Sequence, residues 1–62
     1  MGIKKYREEA DMSQQELADK LGVSSSAVAM WETDNRTPRV ATMIKMSQLF
    51  GCSIEELMKK EE

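Results

Sequence analysis

Residues 13–33 read Ser13-Gln14-Gln15-Glu16-Leu17-Ala18-Asp19-Lys20-Leu21-Gly22-Val23-Ser24-Ser25-Ser26-Ala27-Val28-Ala29-Met30-Trp31-Glu32-Thr33, and this stretch decides the fold. Ser13 followed three residues later by Glu16 is a capping box: the serine oxygen accepts from the third helical N–H and the glutamate reaches back to the serine's own N–H. Met12 and Leu17 are spaced as a hydrophobic staple across that cap. A helix therefore begins near residue 13. It is stopped by Gly22, which takes a positive φ at little cost. Ser24 is then a second N-cap, with Val23 and Val28 as its staple. Only Gly22 and Val23 separate one helix from the cap of the next, so the chain turns a tight corner. Two helices crossing this closely need a small residue at the contact, and Ala18 stands one turn before the glycine. Leu17, Leu21, Val28 and Trp31 supply the apolar faces behind the corner. The opposite face of the later helix, Ser25, Ser26, Ala29, Met30 and Thr33, is left without an internal partner.

Working outward, Ile3, Tyr6 and Ala10 recur at helical spacing and predict a first helix ending at Asp11. Downstream, Pro38 suits a first helical turn, where its missing N–H is not needed, with Thr37 as the cap. The apolar set Val40, Met43, Ile44, Met46 and Phe50 predicts a fourth helix with a broad buried face, stopped by Gly51. Ser53-Ile54-Glu55-Glu56 is a second capping box, with Cys52 and Leu57 as its staple, and starts a fifth helix. No strand-like alternation, repeat or linker interrupts the pattern. The expectation is an all-α fold of five short helices in one domain spanning residues 1–62, with an acidic tail at about 59–62. Helical spacing places Met43, Met46, Trp31 and Phe50 in the core and makes Cys52 a small apolar staple. The Glu55 to Glu62 charges read as a solvated helix end and tail.

A chain of 62 residues has room for one core and no second. It contains no His, the commonest general base and metal ligand. No residue set resembles a nucleophile with its base, a metal site or a phosphate-cradling loop, so no enzyme, cofactor or small-molecule substrate is expected. The single Cys52 forms no internal disulfide, there is no apolar run of membrane-spanning length, and the N-terminus has no signal-peptide stretch. These features predict a cytoplasmic protein that does not engage a membrane. Met1 and the acidic tail fit a complete chain rather than a module excised from a longer one. The formal net charge of −2 opposes binding to a polyanion. The distribution matters more than the sum. Residues 22–46 hold Arg36, Arg39 and Lys45 against Glu32 and Asp34, while Glu8, Glu9, Glu55, Glu56, Glu61 and Glu62 lie towards the ends.

Taken together, the residues from Ile3 to Leu57 resemble the Cro and phage-repressor family of helix-turn-helix DNA-binding domains, also called xenobiotic-response-element-like. The resemblance is carried by Arg7, Ser13-Gln14-Gln15-Glu16-Leu17-Ala18, Leu21-Gly22-Val23-Ser24, Val28, Trp31-Glu32, Pro38 and Gly51-Cys52-Ser53-Ile54-Glu55-Glu56-Leu57. It implies a lambda-repressor-like arrangement in which the helix over 24–33 enters the major groove of duplex DNA. Ser25, Ser26 and Met30 then look towards base edges, flanked by Ala29 and Thr33, with serine hydroxyls pairing to several bases and Met30 or Ala29 touching a thymine methyl. Gln14, Ser24, Arg36 and Arg39 match positions near the phosphate backbone, which place a domain rather than choose sequence. Arg7 and Glu32 match a structural ion pair joining the first helix to the third. Relatives often have glycine after that glutamate. Here Asp34 or Asn35 is expected to take the left-handed conformation instead.

The function implied is a transcriptional regulator, a repressor acting as a homodimer on a two-fold symmetric operator. Phe50, Leu57 and Met58 are the candidate dimer surface, unless the core consumes them. The competing expectation, supported by the acidic balance and the neutral outward face, is the same fold used as a protein-interaction module, such as an antitoxin or a modulator of a larger regulator.

Overall fold

The computed structural model describes residues 1–59, which form five helices: α1 (Ile3–Glu9), α2 (Gln14–Leu21), α3 (Ser25–Glu32), α4 (Val40–Phe50) and α5 (Ile54–Met58). No strand occurs among the described residues. Lys60, Glu61 and Glu62, most of the expected acidic tail, lie outside them.

Serine side chains start three of the helices. Ser13 Oγ accepts from Glu16 N at 3.1 Å while Glu16 Oε1 accepts from Ser13 N at 3.1 Å, closing the capping box on α2. Ser24 accepts from Ala27 N at 3.2 Å, and Ser53 from Glu56 N at 3.1 Å. The second capping box stays half open, contrary to expectation. Glu56 instead accepts a 2.6 Å hydrogen bond from the Tyr6 hydroxyl, 50 residues away, and so ties α5 to α1.

The helix ends are as uniform as the starts. α2 and α4 stop at left-handed Gly22 and Gly51, with φ of 71° and 66°. Val23 N donates to Ala18 O at 3.0 Å and Cys52 N to Ser47 O at 3.1 Å, satisfying carbonyls that the helix itself leaves open. α1 and α3 use aspartate for the same turn: Asp11 at φ 60° and Asp34 at φ 61°. Met12 N then reaches Arg7 O at 3.1 Å and Asn35 N reaches Met30 O at 2.9 Å. Of the two candidates for the turn after α3, Asp34 takes it. An aspartate tolerates this conformation better than most side chains because its short polar group bonds locally.

α4 begins two residues later than the proline suggests. Residues 36–39 carry no regular secondary structure, Arg39 is the N-cap with an extended backbone at φ −66° and ψ 155°, and no side chain caps the helix. Pro38 forces Thr37 away from helical geometry, and its ring is itself buried. It anchors the segment entering α4 rather than opening the helix.

The core gathers Ile3, Leu17, Ala18, Leu21, Val28, Trp31, Met46 and Leu57, with Tyr6, Met43, Phe50 and Cys52 among the residues packed around it. α4 contributes a narrower face than expected. Met43, Met46 and Phe50 turn inward, whereas Val40 and Ile44 are 65% and 43% exposed. Each residue turns the helix by about 100°, so Val40 and Ile44 fall outside the stripe defined by the other three.

Tyr6 stacks on Phe50 with ring centroids 5.9 Å apart. Its phenol is pushed from 10.0 up to about 12, first by donating to Glu56, with burial and the carboxylate's charge adding to the effect. A proton held more tightly in the folded than the unfolded state stabilises the fold fully below about pH 10. That stability is lost as pH rises towards about 12. Tyr6→Phe is therefore expected to remove part of the decline in melting temperature between these pH values. Identical alkaline profiles for the two proteins would show that the α1–α5 contact carries no such linkage.

Candidate nucleic-acid interface

The corner between α2 and α3 presents one helix face outward. Val28 and Trp31 are buried behind it, and Ala18, fully buried, lets α2 approach. Of the outward residues, Ser25 and Ala29 are half-buried, while Ser26, Met30 and Thr33 are exposed. All five sit on α3 or at its C-terminal cap. They share a face, as the spacing requires, but they are not equally free. The Thr33 hydroxyl donates back to the carbonyl of Ala29 at 3.0 Å and accepts from Asn35 Nδ2 at 2.8 Å. Asn35, which the sequence reading did not single out for contact, thus holds Thr33 against its own helix.

Beside this face runs an open groove of about 530 Å³, lined in part by Ser24, Ser26, Met30, Arg36, Arg39 and Thr42. Arg36 and Arg39 are exposed on the segment between α3 and α4. Ser24 caps α3, so the helix's unpaired N–H groups and its positive dipole end lie at the groove as well. Two guanidinium side chains, a helix N-terminus and serine hydroxyls line a surface suited to phosphate oxygens. Thr42 joins them three residues after Arg39, in the first turn of α4. The delayed start of that helix hid this position from the sequence pattern.

A polar cluster around Glu32, the last residue of α3, ties this helix to α1 and α2. Arg7 Nε donates to Glu32 Oε2 at 2.6 Å, and a second guanidinium nitrogen donates to Glu32 Oε1 at 3.2 Å. Arg7 Nη1 also donates to the Met12 carbonyl at 2.8 Å, linking the end of α1 to the entry of α2. The side chains are 12% and 4% exposed, so this is a part-buried, bidentate pair. The Arg7 guanidinium is held further into its charged range, chiefly by the bond to Glu32 and against the effect of burial. Gln14, the first residue of α2, donates to Glu32 Oε1 at 3.1 Å. Its amide therefore braces α3, and its carbonyl and second N–H are what remain for an outside contact.

Comparison with known proteins fits this geometry. The helix-turn-helix family profile matches residues 3–57. The uncharacterised HTH-type transcriptional regulator YqaE of Bacillus subtilis is 36% identical over 59 residues, covering 95% of this chain and 51% of that protein. The cryptic phage CTXphi transcriptional repressor RstR of Vibrio cholerae is 30% identical over 60 residues, covering 97% of this chain and 54% of that protein. The chain thus spans about half the length of these curated relatives. Among solved structures, the N-terminal DNA-binding domain of SinR from Bacillus subtilis superposes with a TM-score of 0.81 at 31% identity, over 97% of this chain and 88% of that domain. With a profile match that runs from the first helix to the last, and a DNA-binding domain superposing over nearly the whole chain, the chain belongs to the Cro/C1-type helix-turn-helix family.

Proposed function

We propose that this chain is the duplex-DNA-binding domain of a transcriptional regulator, a repressor that occupies a two-fold symmetric operator as a homodimer with α3 in the major groove. The observation that carries the proposal is the outward face of α3 lying beside the groove that holds Arg36 and Arg39. One surface thereby offers base-facing side chains next to phosphate partners, the two kinds of contact a DNA reader needs. Ser25, Ser26, Ala29 and Met30 face bases. Ser24, Arg36, Arg39 and the free part of Gln14 face the backbone. Arg7 and Glu32 keep α3 in place. Thr33 contributes by position rather than by a free hydroxyl.

A homodimer needs a surface outside this face. Leu57 is 1% exposed and Phe50 is stacked on Tyr6, so the core consumes two of the three residues expected there. Outside α3, the large apolar side chains left exposed for a second copy among the described residues are Val40, Ile44 and Leu49 on α4 and Ile54 and Met58, one turn apart on α5. The domain works without a catalytic step or bound cofactor, in the cytoplasm. Among the described residues no helix is long and apolar enough to cross a membrane.

A salt titration of duplex binding by fluorescence anisotropy tests the proposal. Each phosphate contact adds roughly 0.9 to the slope of log K against log salt concentration. Arg36→Ala with Arg39→Ala is expected to lower that slope by about 2 and to weaken binding to every duplex alike. Binding to a partner protein that survives the double substitution, with no duplex bound in dilute buffer, would favour the interaction-module reading instead.

A further inference from the structure

We infer that Met30, with Ala29 beside it, makes α3 a reader of thymine 5-methyl groups, so that base selection rests on apolar contact more than on hydrogen bonding. The inference rests on the DNA-binding reading above and names the base chemistry that the same face takes.

Two of the polar side chains near this face are engaged by the protein itself. Thr33 has its hydroxyl proton on a backbone carbonyl and an oxygen lone pair on Asn35. One N–H of Gln14 is spent on Glu32. Between Ser25 and Met30, α3 has no Arg, Lys, Asn, Gln, Asp or Glu, so this stretch of the helix carries no fork to make a bidentate contact with guanine or adenine. Ser25 and Ser26 remain, and a hydroxyl that both donates and accepts discriminates weakly.

The most prominent apolar group on the face is Met30, 40% exposed and at the wall of the groove that also holds Arg36 and Arg39. A single exposed methionine is ordinary on a protein surface. Its position is not. It stands where a base reader would stand, next to the phosphate partners and one residue from Ala29. In the major groove, thymine's methyl is the apolar feature of the base pairs, distinct from the donors and acceptors of the rest. A methionine thioether is unbranched, flexible and polarisable, and adapts its path to such a methyl.

The test uses the full chain and duplexes that it enriches from a random pool, with deoxyuridine replacing thymidine one position at a time. Uracil differs from thymine only by the missing methyl and leaves base pairing intact. At one or more positions in each half-site, the replacement is expected to weaken binding by about four-fold, the worth of one buried methyl-sized group. Met30→Ala, at an exposed position where folding is not at risk, is expected to abolish that sensitivity. A duplex that is bound as tightly with uracil as with thymine at every position overturns the inference while leaving DNA binding intact. So does a uracil effect that persists unchanged in Met30→Ala. A chain that enriches no duplex overturns this inference and the DNA-binding reading together.

Discussion

Replacing Arg7 with alanine is expected to lower the melting temperature by at least about 12 °C. The substitution leaves Glu32, whose side chain is 4% exposed, without its bidentate partner, and the Met12 carbonyl without a donor. Gln14 alone remains on the carboxylate, through one 3.1 Å hydrogen bond. Removing one member of a buried pair costs roughly 3–5 kcal/mol, because the surviving charge keeps its desolvation cost and loses its compensation. In a domain of this size each kcal/mol shifts the midpoint by about 4–8 °C. The double substitution Arg7→Met with Glu32→Leu is expected to cost less than Arg7→Ala alone, since no charge is then stranded. Thermal unfolding followed by circular dichroism checks both. An unchanged midpoint in Arg7→Ala would remove the pair from the structural role given to it.

Leu17→Ala is the other substitution with a large expected effect. Leu17 is fully buried on α2, one residue before the small Ala18 that admits α3. Truncation loses the transfer free energy of the missing carbons and leaves a void that the corner fills only in part, a cost of about 2–5 kcal/mol. A folded chain of this length is stable by roughly 3–9 kcal/mol in total. At the upper end the variant is therefore substantially unfolded at 37 °C. DNA affinity should fall only with the folded fraction, and recover when the measurement is made at low temperature. Urea denaturation checks the stability. A loss of under about 1 kcal/mol would mean that α2 and α3 are held together by something other than this packing.

The parts of the fold legible in the sequence are those set by residues a few positions apart. Ser13, Ser24 and Ser53 cap their helices through hydrogen bonds spanning three residues, and Gly22 and Gly51 end theirs by backbone freedom alone. Such signals need no knowledge of the rest of the molecule. The left-handed turn at Asp11 carried no equivalent signal, because aspartate occupies many other conformations equally well. Glu56 looked like the second half of a capping box, yet Tyr6 competes for its carboxylate from 50 residues away. Val40 and Ile44 were indistinguishable from core residues by type, and only the direction in which α4 faces the bundle left them exposed. Thr37 and Pro38 suggest a helix start because a proline there is compatible with one. Compatibility does not decide the matter, and Pro38 lies buried just outside the helix.

The candidate site was legible in a similar way. The face comprising Ser25, Ser26, Ala29, Met30 and Thr33 follows from helical spacing once Val28 and Trp31 are known to point inward. The internal commitments of Thr33 and Gln14 do not, because each depends on a partner that the fold brings in. Those commitments change the chemistry of the face. Two of the polar side chains that a sequence reading assigns to DNA are at least partly occupied by the protein.

Whether α3 reads a duplex is decided by selecting bound sequences from a random DNA pool at low salt and sequencing them. Enrichment of a two-fold symmetric motif with half-sites about one helical turn apart is expected, with affinity that falls steeply as salt is added. A pool that emerges unenriched, with no duplex retained even in dilute buffer, would show that α3 does not read DNA.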